Sequence, residues 1–322
     1  MLLWRAASGR SSIGGTGRRA GVAAPPGVTM AREPRSVEGG RFLDLPGLRM
    51  HVVEAGSGTP VVLVHGFPQS SREWSQVMPL LEPHARAIAP DLRGAGRSEA
   101  PDSPYRLDTM CGDLVELLDA LAIDRAVVVG HDIGALGALA LAMDHPERVS
   151  RLVVLSIPPM YLKMTPAMLR SARYLWFQYA LAVPGLGERL LGGGGQRLPQ
   201  WLFSTFAAHG GVSERDRHAY VARLREPDRA RAGSRTYRQL VVPEFMRIVR
   251  GGYRDRLPAM PTLVLLGADD PVVPRSALEG LDRLAPNMRV DEVPHAGHWV
   301  VDEAPAEVAR RILEFAELAP TA

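Results

Sequence analysis

At 322 residues, 46% apolar and 23% charged, the chain has the make-up of a globular protein with room for one α/β core and an insertion. A single cysteine, Cys111, excludes an intramolecular disulfide and fits a reducing, cytoplasmic setting, while the apolar run at 133–143 is too short to span a bilayer. The net charge of +3 traces to Arg5, Arg10, Arg18 and Arg19, so the rest is close to neutral, and no basic run interleaved with aromatics points to nucleic acid.

Residues 1–38 are rich in Gly, Ser, Ala and Arg, lack apolar periodicity, and are expected to form a disordered basic tail. Their acid-free start resembles a transit peptide but has neither a sustained amphipathic helix nor an h-region, which favours Met30 as the working start. From Phe42 onward, short β-branched or apolar runs predict strands at Met50–Glu54, Val61–Val64, Ala87–Pro90, Ala126–Val129, Leu152–Leu155, Thr262–Leu266 and Arg289–Val293. Helical stretches such as Leu114–Leu121 and Ser276–Leu284 lie between most of them, and Cys111 falls at the start of a helix over Met110–Leu121 as a small, partly buried residue. This alternation predicts a mostly parallel sheet covered by helices on both faces.

The alternation breaks between Pro158 and Pro261, where helical periodicity in Ser171–Leu181 and His218–Leu224 is accompanied by no strand pattern. An insertion of that size predicts a helical cap over the strand ends, giving a core of 39–158 and 259–322 and a cap of 159–258. The Gly192–Gly195 run lacks the Lys-Ser/Thr that completes a phosphate loop and is expected to be a flexible turn.

Arg125 to Gly134, followed by the apolar run Ala135–Met143, predicts a buried strand, a very tight turn and a helix, with Gly130 and Gly134 flanking the turn. Such an elbow holds one side chain out above the carboxyl edge of a sheet, and that side chain is Asp132. A carboxylate nucleophile makes an ester with an alkyl carbon, so the expected substrates are small apolar electrophiles such as epoxides or alkyl halides, rather than acyl groups. Three more motifs fall at the carboxyl ends of predicted strands, where open α/β sheets bind ligands. His65-Gly66-Phe67-Pro68 turns the Phe67 N–H toward the N–H of Ile133, a pair suited to an oxyanion hole. Gly267-Ala268-Asp269-Asp270-Pro271 and His295-Ala296-Gly297-His298-Trp299 follow late in the chain. The Gly-rich Asp91–Ser98 turn is assigned to structure.

The order nucleophile, acid, histidine resembles that of the α/β-hydrolase superfamily, and the resemblance runs from about residue 42 to 318. Within it, the Gly-His-Asp-x-Gly elbow is similar to that of epoxide hydrolases and of haloacid and haloalkane dehalogenases. The resemblance implies an α/β-hydrolase fold and the set Asp132, Asp270 and His298. Asp270 lies three residues after the glycine of Gly-x-x-Asp, which selects it over Asp269, and Gly-His-Trp selects His298 over His295. Some relatives place the acid after the sixth strand, where this chain has Ser156. His131 is expected to be structural.

The resemblance also bears on chemistry. Epoxide hydrolases supply two cap donors to the opening oxygen. Ser234-Arg235-Thr236-Tyr237-Arg238 resembles one such segment and nominates Tyr237. At the other position this chain has Phe177, with Tyr179 or Tyr174 available only in a shifted register. Haloalkane and fluoroacetate dehalogenases carry Trp or Arg after the nucleophile, where Ile133 stands, and the latter have His-Trp in place of Phe177-Gln178. The halide reading loses two donors and the epoxide reading one, which favours an epoxide hydrolase over a dehalogenase, and either over a noncatalytic binding protein. His65, Trp176, Phe177, Tyr179 and Trp299 are candidate substrate contacts. The expected mechanism uses no metal and no cofactor, with no nucleic-acid or membrane partner.

Overall fold

A computed structural model describes residues 39–208 and 210–318. The expected basic tail, 1–38, lies outside the described residues. Eight strands form one sheet: β1 Arg41–Leu45, β2 Leu48–Ala55, β3 Pro60–Val64, β4 Arg86–Pro90, β5 Ala126–His131, β6 Val149–Leu155, β7 Thr262–Gly267 and β8 Met288–Val293, in the order β1-β2-β4-β3-β5-β6-β7-β8. The β1–β2 and β2–β4 pairs are antiparallel, and all later pairs are parallel. All seven expected strands are present. The extra one, β1, is an edge strand whose residues are mostly exposed and include Arg41 and Asp44, so it lacks the apolar run by which the others were legible.

The parallel strands are apolar on both sides because two layers cover them. Val62, Val64, Val128, Leu152 and Val154 pack toward the helices Leu107–Ala120 and Ile133–Asp144. Val61, Leu63, Val127, Val129 and Leu263 face the opposite layer, which includes the helix Pro305–Phe315. Cys111 is buried in the first layer, and burial pushes its thiol up to about 12, which keeps it protonated and unreactive at neutral pH.

Between β6 and β7 the described residues contain helices and no strand. They include Trp176–Ala182, Leu186–Gly192, Arg197–Thr205, Glu214–Arg223 and Pro227–Thr236. The last of these passes through a π-helical turn, Tyr237–Val241, into Val242–Val249. Pro243 has no N–H to give to the preceding turn, a sufficient local reason for the helix to widen there. Two expected helices are broken. Ser171–Leu181 divides at Leu175 into a 3₁₀ turn and an α-helix. Ser276–Leu284 divides at Gly280, whose φ of +86° stops a right-handed helix and leaves only Arg275–Leu278 and Leu281–Leu284. Gly192–Gly195 ends one helix and turns into the next. Among the described residues, no helix is long and apolar enough to cross a membrane.

Candidate active site

Strand register brings the separate motifs to one edge. Val64 pairs with Gly130, His131 with Leu155, Leu155 with Leu265 and Gly267 with Val293. The residues just beyond these pairs are therefore neighbours: Phe67, Asp132, Ser156, Asp270 and His298.

Asp132 sits between β5 and the helix Ile133–Asp144 at φ +49°, ψ −123°, a conformation that L residues rarely adopt. Both flanking glycines are required by contact. A Cβ on Gly130 would lie 2.5 Å from Ala135 Cα, and one on Gly134 would lie 2.4 Å from the His65 carbonyl oxygen. The carboxylate stands at a helix N-terminus, whose first amides have no acceptor within the helix. Its Oδ1 accepts from the Phe67 N–H at 3.0 Å, and its Oδ2 lies 3.6 Å from His298 Nε2. Burial works against ionisation of Asp132, but the neighbouring His298 imidazole and its charge, the charge of His131 and the Phe67 amide outweigh it and hold the carboxyl below its ordinary range.

His298 donates from Nδ1 to Asp270 Oδ2 at 3.0 Å, which leaves Nε2 directed at Asp132. Asp270 is fixed by the Val272 N–H at 2.7 Å on its other oxygen. The two loops approach closely because Gly267 lies against the Gly297 carbonyl, where a Cβ would sit 2.1 Å from that oxygen. Burial disfavours the imidazolium of His298, yet the Asp270 charge, the nearby Asp132 carboxylate and the hydrogen bond to Asp270 push it up to about 10. The neighbouring residues Asp269 and His295 are both exposed.

An apolar cavity of about 100 Å³ opens above Asp132 and His298. Tyr237, Phe177 and Phe206 line it from the insertion, and Ile133 and Ser156 from the sheet edge. Tyr237 packs edge-on against the Phe67 and Phe177 rings, at 5.0 and 5.8 Å between centroids. Its hydroxyl has no hydrogen-bond partner among the described residues. Burial, aided by the Asp132 charge, raises its pKa well above the ordinary phenol value, so it holds its proton.

Of the candidate substrate contacts, Phe177 lines this cavity and the others do not. Trp176 is 51% exposed and packs at a tilt against Trp201, and Tyr179 is 48% exposed with its hydroxyl on Met246. Helical rotation explains both, since the face that buries Phe177 and Leu181 turns residues 176 and 179 outward. Tyr174 is also absent from the cavity wall and takes a hydrogen bond from Arg173. Trp299 is buried against Phe203 and beside the His298 ring. His65 is buried with its Nε2 accepting from the Leu92 N–H and its Nδ1–H donating to the Gly66 carbonyl, so it braces loops. The Asp91–Ser98 turn is structural as expected: Asp91 accepts from the Ser71 and Arg97 amides and pairs with His51.

Sequence reasoning missed four polar residues. Glu73 pairs with His131 directly behind the elbow and accepts from the Gly66 N–H at 3.0 Å. Asp302, half-buried near Glu73, accepts from Gln69, and desolvation together with the Glu73 charge raises its pKa well above the carboxylate range. Ser156, the residue at the alternative acid position, is fully buried at φ +57° with its hydroxyl unpartnered, and Gln178 lines the cavity with its Oε1 unpartnered. None lies in a motif whose spacing marks a buried polar group.

Residues 59–305 match the family model described as alpha/beta hydrolase fold. The chain is 29% identical over 314 residues to bifunctional epoxide hydrolase 2 of Sus scrofa, covering 88% of this chain and 56% of that protein. It is 31% identical over 285 residues to a fluoroacetate dehalogenase of a Burkholderia species, covering 85% and 92%. The solved structure of Cfl2 from Burkholderia cenocepacia superposes with a TM-score of 0.75 at 30% identity, covering 86% of this chain and 95% of that one. The strand order, the elbow at Asp132 and these matches agree: the chain is a hydrolase of the alpha/beta hydrolase fold family, similar to its epoxide hydrolases and dehalogenases.

Proposed function

We propose that the protein hydrolyses epoxides to vicinal diols through an ester on Asp132. The observation that carries this reading is a carboxylate on the elbow, paired with His298 and facing the free hydroxyl of Tyr237 across an apolar cavity. Oδ2 attacks an epoxide carbon and the ring C–O bond breaks. The released oxygen takes the Tyr237 proton, which a tyrosine that stays neutral at working pH can give only as charge develops on its partner. Esterification removes the negative charge that helped to keep His298 protonated. His298 then surrenders its proton, by way of water, to the tyrosinate.

Neutral His298, oriented by Asp270, takes a proton from water as the water oxygen attacks the ester carbonyl. The oxyanion is held by the Phe67 and Ile133 amides. Cleavage of the Cγ–Oδ2 bond releases the diol, with the second proton of water on its oxygen, and restores the Asp132 carboxylate and the His298 imidazolium. The residues draw on no metal or cofactor in these steps.

The test is His298→Gln incubated separately with epoxides and with haloalkanes or haloacids, followed by intact mass. Attack does not require the base, whereas hydrolysis does, so the ester accumulates. The expected adduct has the mass of a whole epoxide and maps to the peptide containing Asp132. An adduct formed only from halides, with loss of halide ion, assigns a dehalogenase instead. No adduct from either panel, with inactive wild type, removes the covalent mechanism.

A further inference from the structure

One stretch of the insertion has two working faces. Residues 166–182 run as the helix Pro166–Ser171, the 3₁₀ turn Ala172–Tyr174 and the helix Trp176–Ala182, with right-handed helical backbone at the joints Ala172 and Leu175. A helical period therefore carries through the stretch. Met168, Leu175, Phe177 and Gln178 line the cavity above Asp132. Leu169, Arg173, Trp176, Tyr179 and Val183, spaced three or four apart, are all exposed and follow the outer side.

Among the described residues nine large apolar side chains are exposed, and six of them, Met164, Leu169, Trp176, Tyr179, Val183 and Leu186, fall within 164–186. Scattered singly they would need no explanation, but gathered along one helical face they form a patch. Trp201, tilted against Trp176, and Met246, met by the Tyr179 hydroxyl, widen it. The charge beside the patch is of one sign. From Arg148 to Gly187 the chain has no Asp or Glu, and Glu188, the first acid after them, accepts from the Gly185 N–H. Lys163 is paired with Glu279, but Arg170 and Arg189 are exposed without a partner among the described residues, and Arg173 meets only the hydroxyl and ring of Tyr174.

A second copy of the chain docked face to face would set these guanidinium groups against their own equivalents. An anionic bilayer surface complements them. Its headgroups suit the arginines, its acyl boundary suits Leu169 and Val183, and the interface between suits the amphipathic rings of Trp176 and Tyr179.

We propose that this outer face docks the protein peripherally on an anionic lipid bilayer. The inner face of the same helix lines the cavity, so an apolar substrate dissolved in the bilayer has little water to cross. The docking does not depend on the epoxide chemistry above, but this delivery does. The sequence expectation of no membrane partner followed from the lack of a long apolar run, whereas this face is apolar only in its helical phase.

Flotation of the full chain with phosphatidylcholine vesicles, with and without phosphatidylserine, tests the docking without reference to turnover. Binding should require phosphatidylserine and weaken with salt. Leu169→Gln and Trp176→Gln, at exposed positions outside the cavity wall, should each weaken it about tenfold. Arg170→Gln and Arg173→Gln should each weaken it about fivefold. Brominated acyl chains should quench tryptophan fluorescence in wild type and less in Trp176→Phe, which places that ring in the lipid. Absence of binding, equal binding to both vesicle types, or binding that survives in both Leu169→Gln and Trp176→Gln overturns the proposal. A concentration-dependent dimer that Trp176→Gln dissolves, without vesicle binding, overturns it in favour of a second copy.

Discussion

His131 Nε2 donates to the backbone carbonyl of His298 at 2.8 Å, tying the residue before the nucleophile to the main chain of the base. A carbonyl only accepts, so this nitrogen carries hydrogen, and Nδ1 faces the Glu73 carboxylate. Burial alone would strip the ring of its charge, but Glu73 raises its pKa and holds it as imidazolium. Glu73 also takes the Gly66 N–H, so one buried ion pair fixes the loops carrying Phe67, Asp132 and His298.

Glu73→Gln leaves that cation without its counter-charge and should cost about 3 kcal/mol of stability, in the range for breaking a buried pair. Urea unfolding should show a lower midpoint, and kcat should fall more than KM rises. An unchanged midpoint would mean that the pair does not hold the elbow.

Tyr237→Phe removes one hydroxyl from the cavity wall and leaves the ring packing against Phe67 and Phe177 in place. Epoxide turnover should fall about 10²-fold or more, the usual contribution of a positioned acid, with the melting temperature nearly unchanged. Unaltered turnover would transfer the donor role to another group, and Gln178 is the next polar side chain in that wall.

Asp270→Asn should slow breakdown of the ester more than its formation, because Asp270 touches His298 and not the cavity. Asp269→Asn, at an exposed position, should change neither step. Single-turnover kinetics separates the two steps, and a sensitive Asp269 would contradict the register of the turn.

Stability should depend on pH through His298. Burial opposes its charge but Asp270 and Asp132 prevail, so the folded-state value is about 10 against 6.5 for the free group. A raised value means that the contribution is complete below pH 6.5 and is lost as pH rises through about 10. Melting curves from pH 6 to pH 10 should therefore fall more steeply for wild type than for His298→Gln, and parallel curves would show that the pair is not ionised in the resting protein.

Much of the site was legible because its residues sit on backbone that only certain sequences allow. Gly130 and Gly134 betray the turn around Asp132, and Gly267 and Gly297 betray the close approach of the Asp270 and His298 loops. The insertion was legible only as helical. Which face of Trp176–Ala182 turns inward depends on where the preceding 3₁₀ turn breaks, and that phase decides whether Phe177 and Gln178 or Trp176 and Tyr179 meet the cavity. Glu73 was illegible for another reason. Its partner His131 is 58 positions away, and neither carries a local signal of burial.

The Phe67 amide also makes the two oxygens of Asp132 chemically distinct. It fastens Oδ1 and leaves Oδ2 toward His298. Under the proposed chemistry, Oδ2 departs in the diol and an oxygen from water takes its place in the side chain. Material therefore passes through the protein itself. After one turnover in ¹⁸O-water the product should be unlabelled and the protein about 2 Da heavier, with label reaching the diol only in later cycles.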